Sequence, residues 1–281
     1  MYCILNKGTQ KDNDQIVPWW SYGKVVLACA IMKLVEQGKL DLNKCYFENA
    51  GTLEQLLRHE AGYPDYNNSK VYHQAVDSKT TPWDFETLIE KTDTKALIYE
   101  PGKGWMYSNI GYYYVRQLLE KTEGCSLQEA LNRLIFEPHE ISNVEVAVHE
   151  QQLDQCVHVK SGYYPKWVYH GLLIGTLEDA CKILHNLANG KIISRPLLNK
   201  MRESYMIPFD IGDRPWKKPG YALGLMTDES NGSFGHTGMG PDSVIAVYYF
   251  PEKGCTVAVS AETSDQGEVE YEVERLAYNL E

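Results

Sequence analysis

Residues 25–35 form a segment that is apolar on nearly every side of a helix and is interrupted only by Lys33. The segment is too short to span a membrane, so other parts of the chain have to enclose it in a folded core. The sequence therefore predicts a buried helix over residues 22–36, with Gly38 at the position of a C-terminal cap.

A serine and a lysine stand at the start of this helix. Ser21 lies at or near the first turn, and Lys24, three positions on, lies on the same face within reach of the serine hydroxyl. Burial disfavours the ammonium form of Lys24 and favours a usable base, while the helix N-terminus favours negative charge near Ser21. A capping serine followed by a lysine that extends to solvent gives the same pattern, so these two residues alone leave both interpretations open.

Two further motifs change this balance. Tyr107-Ser108-Asn109 follows in mid-chain, and His236-Thr237-Gly238 comes just before two strand-like runs. Each motif alone is weak, because such short patterns arise often by chance. In this order, together with Ser21-x-x-Lys24, they match serine acyl-transfer enzymes that use lysine and tyrosine instead of a histidine base.

On these residues the chain resembles the class C β-lactamase family, with its D-alanyl-D-alanine carboxypeptidase and esterase relatives, from about residue 18 to about residue 260. The further blocks that carry the resemblance are residues 34–42, 56–66, 101–102, 107–112, 220–224 and 235–238. It implies an α+β fold of the α/β sandwich type, in which an antiparallel sheet is flanked by helices. A single domain over residues 1–281 would hold a sheet-containing lobe (about 1–40 plus 170–281) and a mostly helical lobe (about 41–169).

The resemblance also implies catalytic roles. Ser21 looks like the acylated nucleophile, and Lys24 like its proton acceptor or the group that tunes its base. Tyr107 resembles the family's phenolic general base and acid, which would be poised if Lys24 and a neighbouring dipole lower its pKa. The implied activity is that of a serine hydrolase acting on an ester, an amide, a D-peptide or a β-lactam. The alternative is a catalytically weak or silent binding protein of the same fold.

Substrate-binding roles come from the same resemblance. Asn109 is similar to the amide that orients the substrate and holds the lysine, and His236, Thr237 and Gly238 look like the edge-strand triplet along which the substrate lies. The backbone N–H groups of Ser21 and Met239 would form the oxyanion hole.

The chain departs from the family pattern at two places. His236 stands where typical β-lactamases and peptidases carry lysine, and histidine is a weaker, pH-dependent anchor for a substrate carboxylate. This departure favours an esterase, amidase or D-peptidase over an efficient penicillinase. Few residues precede Ser21, so residues 1–5 could supply one strand and the sheet is expected to lack an edge strand or to borrow one from a partner.

Composition narrows the partners. Acidic residues outnumber basic ones by 38 to 27, the net charge is −11, and no Lys/Arg cluster appears, which argues against a nucleic-acid partner. No apolar run reaches the length of a membrane span. The expected partner is a small-molecule or peptide substrate, and the oligomeric state stays open.

Cofactor and metal signals are weak. His59-Glu60, His139-Glu140 and His149-Glu150 each begin like a zinc motif but lack the second histidine, and no Gly-rich phosphate loop is present, so neither metal nor cofactor is expected. The seven cysteines are odd in number and include no CxxC pair, which indicates reduced, mostly buried thiols. Because the sequence begins with no signal-peptide pattern, a cytoplasmic location is expected as written, or a periplasmic or secreted one if a leader was removed.

Local patterns place several elements. Residues 244–250 and 255–259 flank a Pro-Glu-Lys-Gly turn and predict a hairpin. Ser126 begins a capping box, and helices are predicted at residues 176–188 and 195–204. In the tail, Val269, Val273, Leu276 and Leu280 fall on one helical face.

Overall fold

An eight-stranded antiparallel sheet, in the order β2-β1-β11-β10-β9-β8-β7-β6, is the largest feature of the computed structural model, which describes residues 1–5, 9–11, 14–48 and 50–279. A second sheet has the order β3-β5-β4. In chain order the strands are β1 Tyr2–Leu5, β2 Thr9–Lys11, β3 Val17–Pro18, β4 Val144–Ala147, β5 Leu172–Gly175, β6 Tyr205–Met206, β7 Pro219–Tyr221, β8 Met226–Asp228, β9 Ser233–Gly240, β10 Ser243–Phe250 and β11 Cys255–Ala261.

Helices cover the sheet and form most of the region between β3 and β5. They are α1 Gly23–Glu36, α2 Leu53–Leu57, α3 Lys70–Asp77, α4 Phe85–Lys91, α5 Asn109–Glu123, α6 Leu127–Leu131, α7 Leu177–Ala188, α8 Arg195–Met201 and α9 Gln266–Tyr278. Shorter 3₁₀ turns lie at Trp20–Tyr22, Tyr66–Asn68, Glu137–His139, Glu150–Gln155 and Pro165–Trp167, with a π-helical turn at Asn132–Phe136. This architecture confirms the expected α+β class, whereas the division into two lobes stays a prediction.

Both faces of the central strands are buried. Along β10, Val244, Ala246 and Tyr248 pack with the apolar face of α9, whereas Ile245 and Val247 join the large core that includes α1 and α7. Burial on both faces explains why these strands are continuously apolar rather than alternating. The predicted hairpin is confirmed, since β10 and β11 pair in register from Val244↔Ala261 to Phe250↔Cys255.

The predicted buried helix is confirmed as α1. Its residues from Gly23 to Met32 and Leu34 are buried, and Gly38 adopts a φ of 71° just past the helix end. Left-handed backbone is the conformation that glycine accepts most readily, so the chain can turn sharply there. Helix α1 begins at Gly23, and Ser21 lies just before it, in the 3₁₀ turn that leads into the helix.

Other local predictions have mixed outcomes. The capping box at Ser126 is present at the start of α6, and Thr176 caps α7. Helix α8 ends at Met201, before the predicted residue 204. In the tail helix α9, Val269 and Val273 are buried, and Leu276 packs against them, whereas Leu280 lies outside the described residues.

The expectation that the sheet lacks an edge strand is wrong. Strand β1 pairs with β11, and β2 pairs with β1 in register from Cys3↔Lys11 to Leu5↔Thr9, so a strand pair precedes Ser21 after all. Strand β2 was not predicted because its three residues are polar and show no apolar alternation. The strands of the second sheet were missed because each has only two to four residues, too few to show a clear pattern.

Within the described residues, no helix combines the length and the apolar character that crossing a membrane requires. All seven cysteines fall in this part of the chain and are free thiols, and Cys3, Cys29, Cys181 and Cys255 are buried.

Candidate active site

A cleft of about 860 Å³ opens where the start of α1, the start of α5 and strand β9 meet. Ser21, Tyr107, Asn109, Thr237 and Met239 line it. Lys24 lies directly behind Ser21 and is completely buried. The fold therefore brings residues from all three sequence motifs to one place.

The 3₁₀ turn Trp20–Tyr22 presents Ser21 to the cleft. Trp20 has a φ of 41°, an uncommon left-handed backbone for a bulky residue, and its indole N–H donates to Ser243 Oγ at 3.0 Å. The ring of Trp20 also meets Tyr163 edge to face at 5.3 Å. These contacts hold the strained residue that immediately precedes Ser21.

Strand β9 approaches this turn so closely that only glycine fits at position 238. A Cβ there would lie 2.5 Å from the Trp19 carbonyl oxygen and 2.8 Å from the Ser21 backbone nitrogen. At Gly240 a Cβ would lie 2.3 Å from the Trp20 ring. The backbone N–H of Ser21 is thus held against the strand that carries Met239, as the predicted oxyanion hole requires.

A series of side-chain hydrogen bonds leads inward from Ser21. Lys24 Nζ donates to Ser21 Oγ at 3.0 Å and to Asn109 Oδ1 at 2.7 Å. Asn109 Nδ2 in turn donates to both carboxylate oxygens of Asp65, at 3.1 and 3.2 Å. Asn109 is the first residue of α5, and Asp65 caps the 3₁₀ turn that begins at Tyr66, so backbone structure fixes both side chains.

Burial shifts the pKa values of Lys24 and Asp65, the two charged groups in this series of hydrogen bonds. Desolvation lowers the pKa of Lys24 to about 7, although the negative charge of Asp65 opposes the shift. Desolvation also raises the pKa of Asp65, against the hydrogen bonds and the Lys24 charge that lower it. A substantial fraction of Lys24 is therefore neutral amine at neutral pH, which is the form that can accept the Ser21 proton.

Tyr107 sits beside Ser21, with Lys24 Nζ 4.9 Å from the centre of its ring. Burial raises the pKa of Tyr107, its hydrogen bond with Ser21 lowers it, and the charge of Asp65 raises it further, so the net shift is upward. The condition for a poised phenolic base, a pKa lowered by Lys24 and a neighbouring dipole, is therefore not met. Tyr107 is a phenol at neutral pH, suited to donating or relaying a proton rather than to acting as a standing phenolate.

His236 does not reach the cleft. Its ring is 0% exposed, and its nitrogens are 2.8 Å from the Thr237 carbonyl oxygen and 3.0 Å from Tyr221 Oη. Because a carbonyl only accepts, Nδ1 carries the proton and Nε2 accepts from Tyr221. Burial, followed by the charge of Lys24, lowers the pKa of His236 to about 3. The expectation of a titrating imidazole that anchors a substrate carboxylate is therefore contradicted.

A second polar network lies behind β9. Glu270 of α9 is 0% exposed and accepts from Arg214 Nε at 2.6 Å, from Trp216 Nε1 at 2.9 Å and from Arg214 Nη2. Thr237 Oγ1 donates to the same carboxylate and lies 3.0 Å from Tyr248 Oη. Arg214 and Thr237 both line the cleft, so this wall presents a cation that is already paired.

Sequence reasoning missed Asp65, Arg214 and Glu270. Asp65 lies in a block that resembles the family, but nothing in its local pattern indicates a contact with Asn109. Arg214 lies in the loop between β6 and β7, Glu270 lies in α9, and neither belongs to a motif. Within the described part of the chain, no group of three or more His, Cys, Asp or Glu side chains could hold a metal ion.

Comparison with known proteins agrees with this geometry. A family model described as Beta-lactamase matches residues 5–279. Penicillin-binding protein 4* of Bacillus subtilis (strain 168) is 27% identical over 158 residues, which cover 51% of this chain and 33% of that protein. The chain matches only about a third of the length of its curated relatives.

Solved structures share the fold over nearly the whole chain. The D-amino acid amidase from Ochrobactrum anthropi SV3 superimposes with a TM-score of 0.83 at 19% identity, covering 99% of this chain and 94% of that one. A D-stereospecific amidohydrolase from Streptomyces sp. gives a TM-score of 0.79 at 20% identity, covering 99% and 93%. At these identities the likeness concerns the fold.

Proposed function

Because the chain belongs to the β-lactamase family, we propose that it is a serine hydrolase that forms an acyl-enzyme on Ser21 and acts on amides or esters that carry no carboxylate. The observation that carries the proposal is the series of hydrogen bonds that links Ser21, Lys24, Asn109 and Asp65. It places the buried Lys24 Nζ 3.0 Å from the Ser21 hydroxyl, which faces the cleft. A hydrogen-bonded nucleophile and base of this kind is the recurring device of covalent acyl transfer.

The proposed reaction begins when neutral Lys24 takes the proton of Ser21 as Ser21 Oγ bonds to the substrate carbonyl carbon. The N–H groups of Ser21 and Met239 would stabilise the resulting oxyanion. When the bond to the leaving group breaks, the Tyr107 phenol gives its proton to that group and takes up the proton that Lys24 holds, which leaves Lys24 neutral again. Water then bonds to the acyl carbon, its proton enters the same relay, and Ser21 recovers its hydrogen as the acid leaves.

The charges around the cleft favour a substrate without a carboxylate. Of the described residues that line it, only Lys160 and Arg214 are lysine or arginine, and each has a carboxylate partner. A substrate carboxylate beside Arg214 would also meet the negative charge of Glu270. The neutral His236 adds no cation. This arrangement supports amides and esters over substrates that need a carboxylate anchor, as penicillins and C-terminal D-peptides do.

An apolar rim supports the same choice. Ile207, Phe209 and Ile211 lie in the loop after β6 and line the cleft, and Phe209 is 53% exposed. Trp105 lies 5.8 Å from the Phe209 ring. These side chains suit an aromatic or aliphatic group on the substrate. The structural likeness to a D-amino acid amidase and a D-stereospecific amidohydrolase makes D-amino acid amides the first substrates to test.

The test compares D- and L-amino acid amides and esters, which carry no carboxylate, with matched substrates that end in a free carboxylate, and with penicillins. We expect turnover of the series without a carboxylate and a Ser21 adduct by intact-mass spectrometry. Absence of any adduct with esters, penicillins and a fluorophosphonate would contradict the proposal and leave a binding protein of the same fold.

A charge variant sharpens the substrate assignment. Glu270→Gln removes the negative partner of Arg214, so carboxylate-bearing substrates should gain about tenfold in apparent affinity, equivalent to ~1.4 kcal/mol. Glu272→Gln is the matched control, because Glu272 lies on the same helix but pairs with Arg275 instead. Tight binding of carboxylates by the parent protein, unchanged in Glu270→Gln, would show that the wall does accept anions.

A further inference from the structure

His59 is a buried histidine that the proposed mechanism does not use. It follows the end of α2, is 2% exposed, and adopts a φ of 64°, which is strained for a residue other than glycine. In the sequence it belongs to the block of residues 56–66 that carries the family resemblance and begins an incomplete zinc motif, but no metal-binding group forms around it in the described residues. A strained, buried residue next to an active site calls for a specific explanation.

The contacts of His59 enclose Tyr107 on both sides along the chain. The backbone N–H of Met106 donates to the His59 carbonyl oxygen at 3.1 Å, and the backbone N–H of Ser108 donates to His59 Nδ1 at 3.1 Å. Between these two bonds, the imidazole ring lies 4.4 Å from the Tyr107 ring, tilted by 40°. One residue therefore fixes the backbone before Tyr107, the backbone after it and the ring itself.

The bond from Ser108 also defines the state of the imidazole. Because Nδ1 accepts a hydrogen bond, the ring is neutral and its proton sits on Nε2. The rings of Tyr112 and Tyr221 close the remaining sides at 5.1 and 4.5 Å. His59 does not line the cleft, so it cannot itself exchange a proton with the substrate.

We propose that His59 is a positioning residue that holds Tyr107 in the orientation needed for proton transfer. The proposal rests on the proposed function, in which Tyr107 delivers the proton to the leaving group. It also explains the left-handed backbone at His59. In that conformation the carbonyl oxygen of His59 accepts a hydrogen bond from Met106 while its ring accepts one from Ser108.

Three substitutions separate the contacts. His59→Ala removes the ring and the Nδ1 acceptor, and should lower kcat on the order of 10²-fold with little change in KM, the effect of misplacing a catalytic group. His59→Asn keeps an acceptor near the Nδ1 position and tolerates the left-handed backbone, so it should recover about tenfold of that loss. His59→Phe keeps a ring without the acceptor. His185→Ala is the control, because His185 bonds through Nδ1 to Thr256 away from the cleft.

A double-mutant cycle with Tyr107→Phe provides the decisive readout. If His59 acts through Tyr107, His59→Asn should lower kcat less than about threefold further once the phenol is absent. Equal losses in the two backgrounds, or full activity of His59→Ala, would overturn the proposal. Should His59→Ala fail to fold, the Asn and Phe variants carry the same cycle. Failure of the proposed function looks different, because the parent protein itself would then show neither turnover nor a Ser21 adduct.

Discussion

The α1 side of the cleft and the β9 side both bury charged groups, but they leave them in different states. On the α1 side, Lys24 is linked to Asp65 only through Asn109, and its pKa falls to about 7. On the β9 side, Arg214 meets Glu270 directly through two nitrogens. The first arrangement leaves a cation that can lose its proton, whereas the second places a guanidinium in direct contact with a carboxylate.

The difference shows that one fold can hold Lys24 in a reactive state and Arg214 in a structural contact with Glu270. An amide between lysine and carboxylate transmits orientation but weakens the charge–charge attraction, because distance reduces it. A direct guanidinium–carboxylate contact adds charge-assisted hydrogen bonds that stabilise the paired charges. The following predictions test this contrast, from the largest expected effect to the smallest.

Ser21→Ala should remove all acyl transfer while leaving the fold intact, since the hydroxyl faces the cleft and its loss breaks the hydrogen bonds with Lys24 and Tyr107 but no core contact. Turnover should fall to the uncatalysed rate for every substrate that the parent protein hydrolyses. Intact-mass spectrometry with a fluorophosphonate, alongside thermal unfolding, checks both parts. A covalent adduct that persists in this variant would place the nucleophile elsewhere.

Lys24→Ala and Tyr107→Phe should each reduce kcat by on the order of 10²–10⁴-fold, the usual contribution of a positioned proton-transfer group. The double variant should lose little more than the worse single one, because one relay is removed either way. Steady-state kinetics on a neutral ester measure this. Near-parent activity of Tyr107→Phe would leave Lys24 as the only base.

Asp65→Asn should move the acidic limb of the kcat/KM profile to lower pH by about one unit. The sign follows from the charges: the Asp65 carboxylate raises the pKa of Lys24, so removing it makes the ammonium form less stable and the amine present at lower pH. The exposed Asp154→Asn serves as control. A shift to higher pH would mean that Lys24 is not the group that titrates.

His236→Asn should change activity least. Its amide can still donate to the Thr237 carbonyl, while Tyr221 loses its acceptor, which costs about 1–3 kcal/mol of stability. KM for charged and neutral substrates should keep the parent protein's pH dependence between pH 5 and 8, because the pKa of His236 is about 3. A KM step near pH 6.5 that disappears in His236→Asn would restore the imidazole as an anion anchor.

The sequence predicted those parts of the site that depend on local geometry. Ser21 and Lys24 are three residues apart at a helix start, so their contact follows from helical spacing alone. Tyr107 and Asn109 were identified through their motif. The bond between Asn109 and Asp65 joins separate elements, and no periodicity encodes it.

The error at His236 has a specific physical cause. Successive residues of a strand point to opposite faces, so His236 and Thr237 cannot both face the same side of β9. Thr237 contacts Glu270 on the α9 side, and His236 points to the other side, toward Tyr221. Because β9 is buried on both faces from Ser233 to Gly238, apolar alternation gave no sign of which residue would reach the cleft.

The contact between Gly238 and Ser21 also has a consequence for biosynthesis. It joins the turn before the first helix to one of the last strands, and β1 likewise pairs with β11. A ribosome releases the N-terminal residues first, so Ser21 and Lys24 can meet in α1 long before β9 exists. The backbone N–H of Ser21 is fixed only after β9 has been synthesised and the intervening part of the chain has folded to bring β9 against it. Hydrolysis by this protein would therefore report that chain synthesis and folding are both complete, and nascent chains would carry the nucleophile in an inactive state.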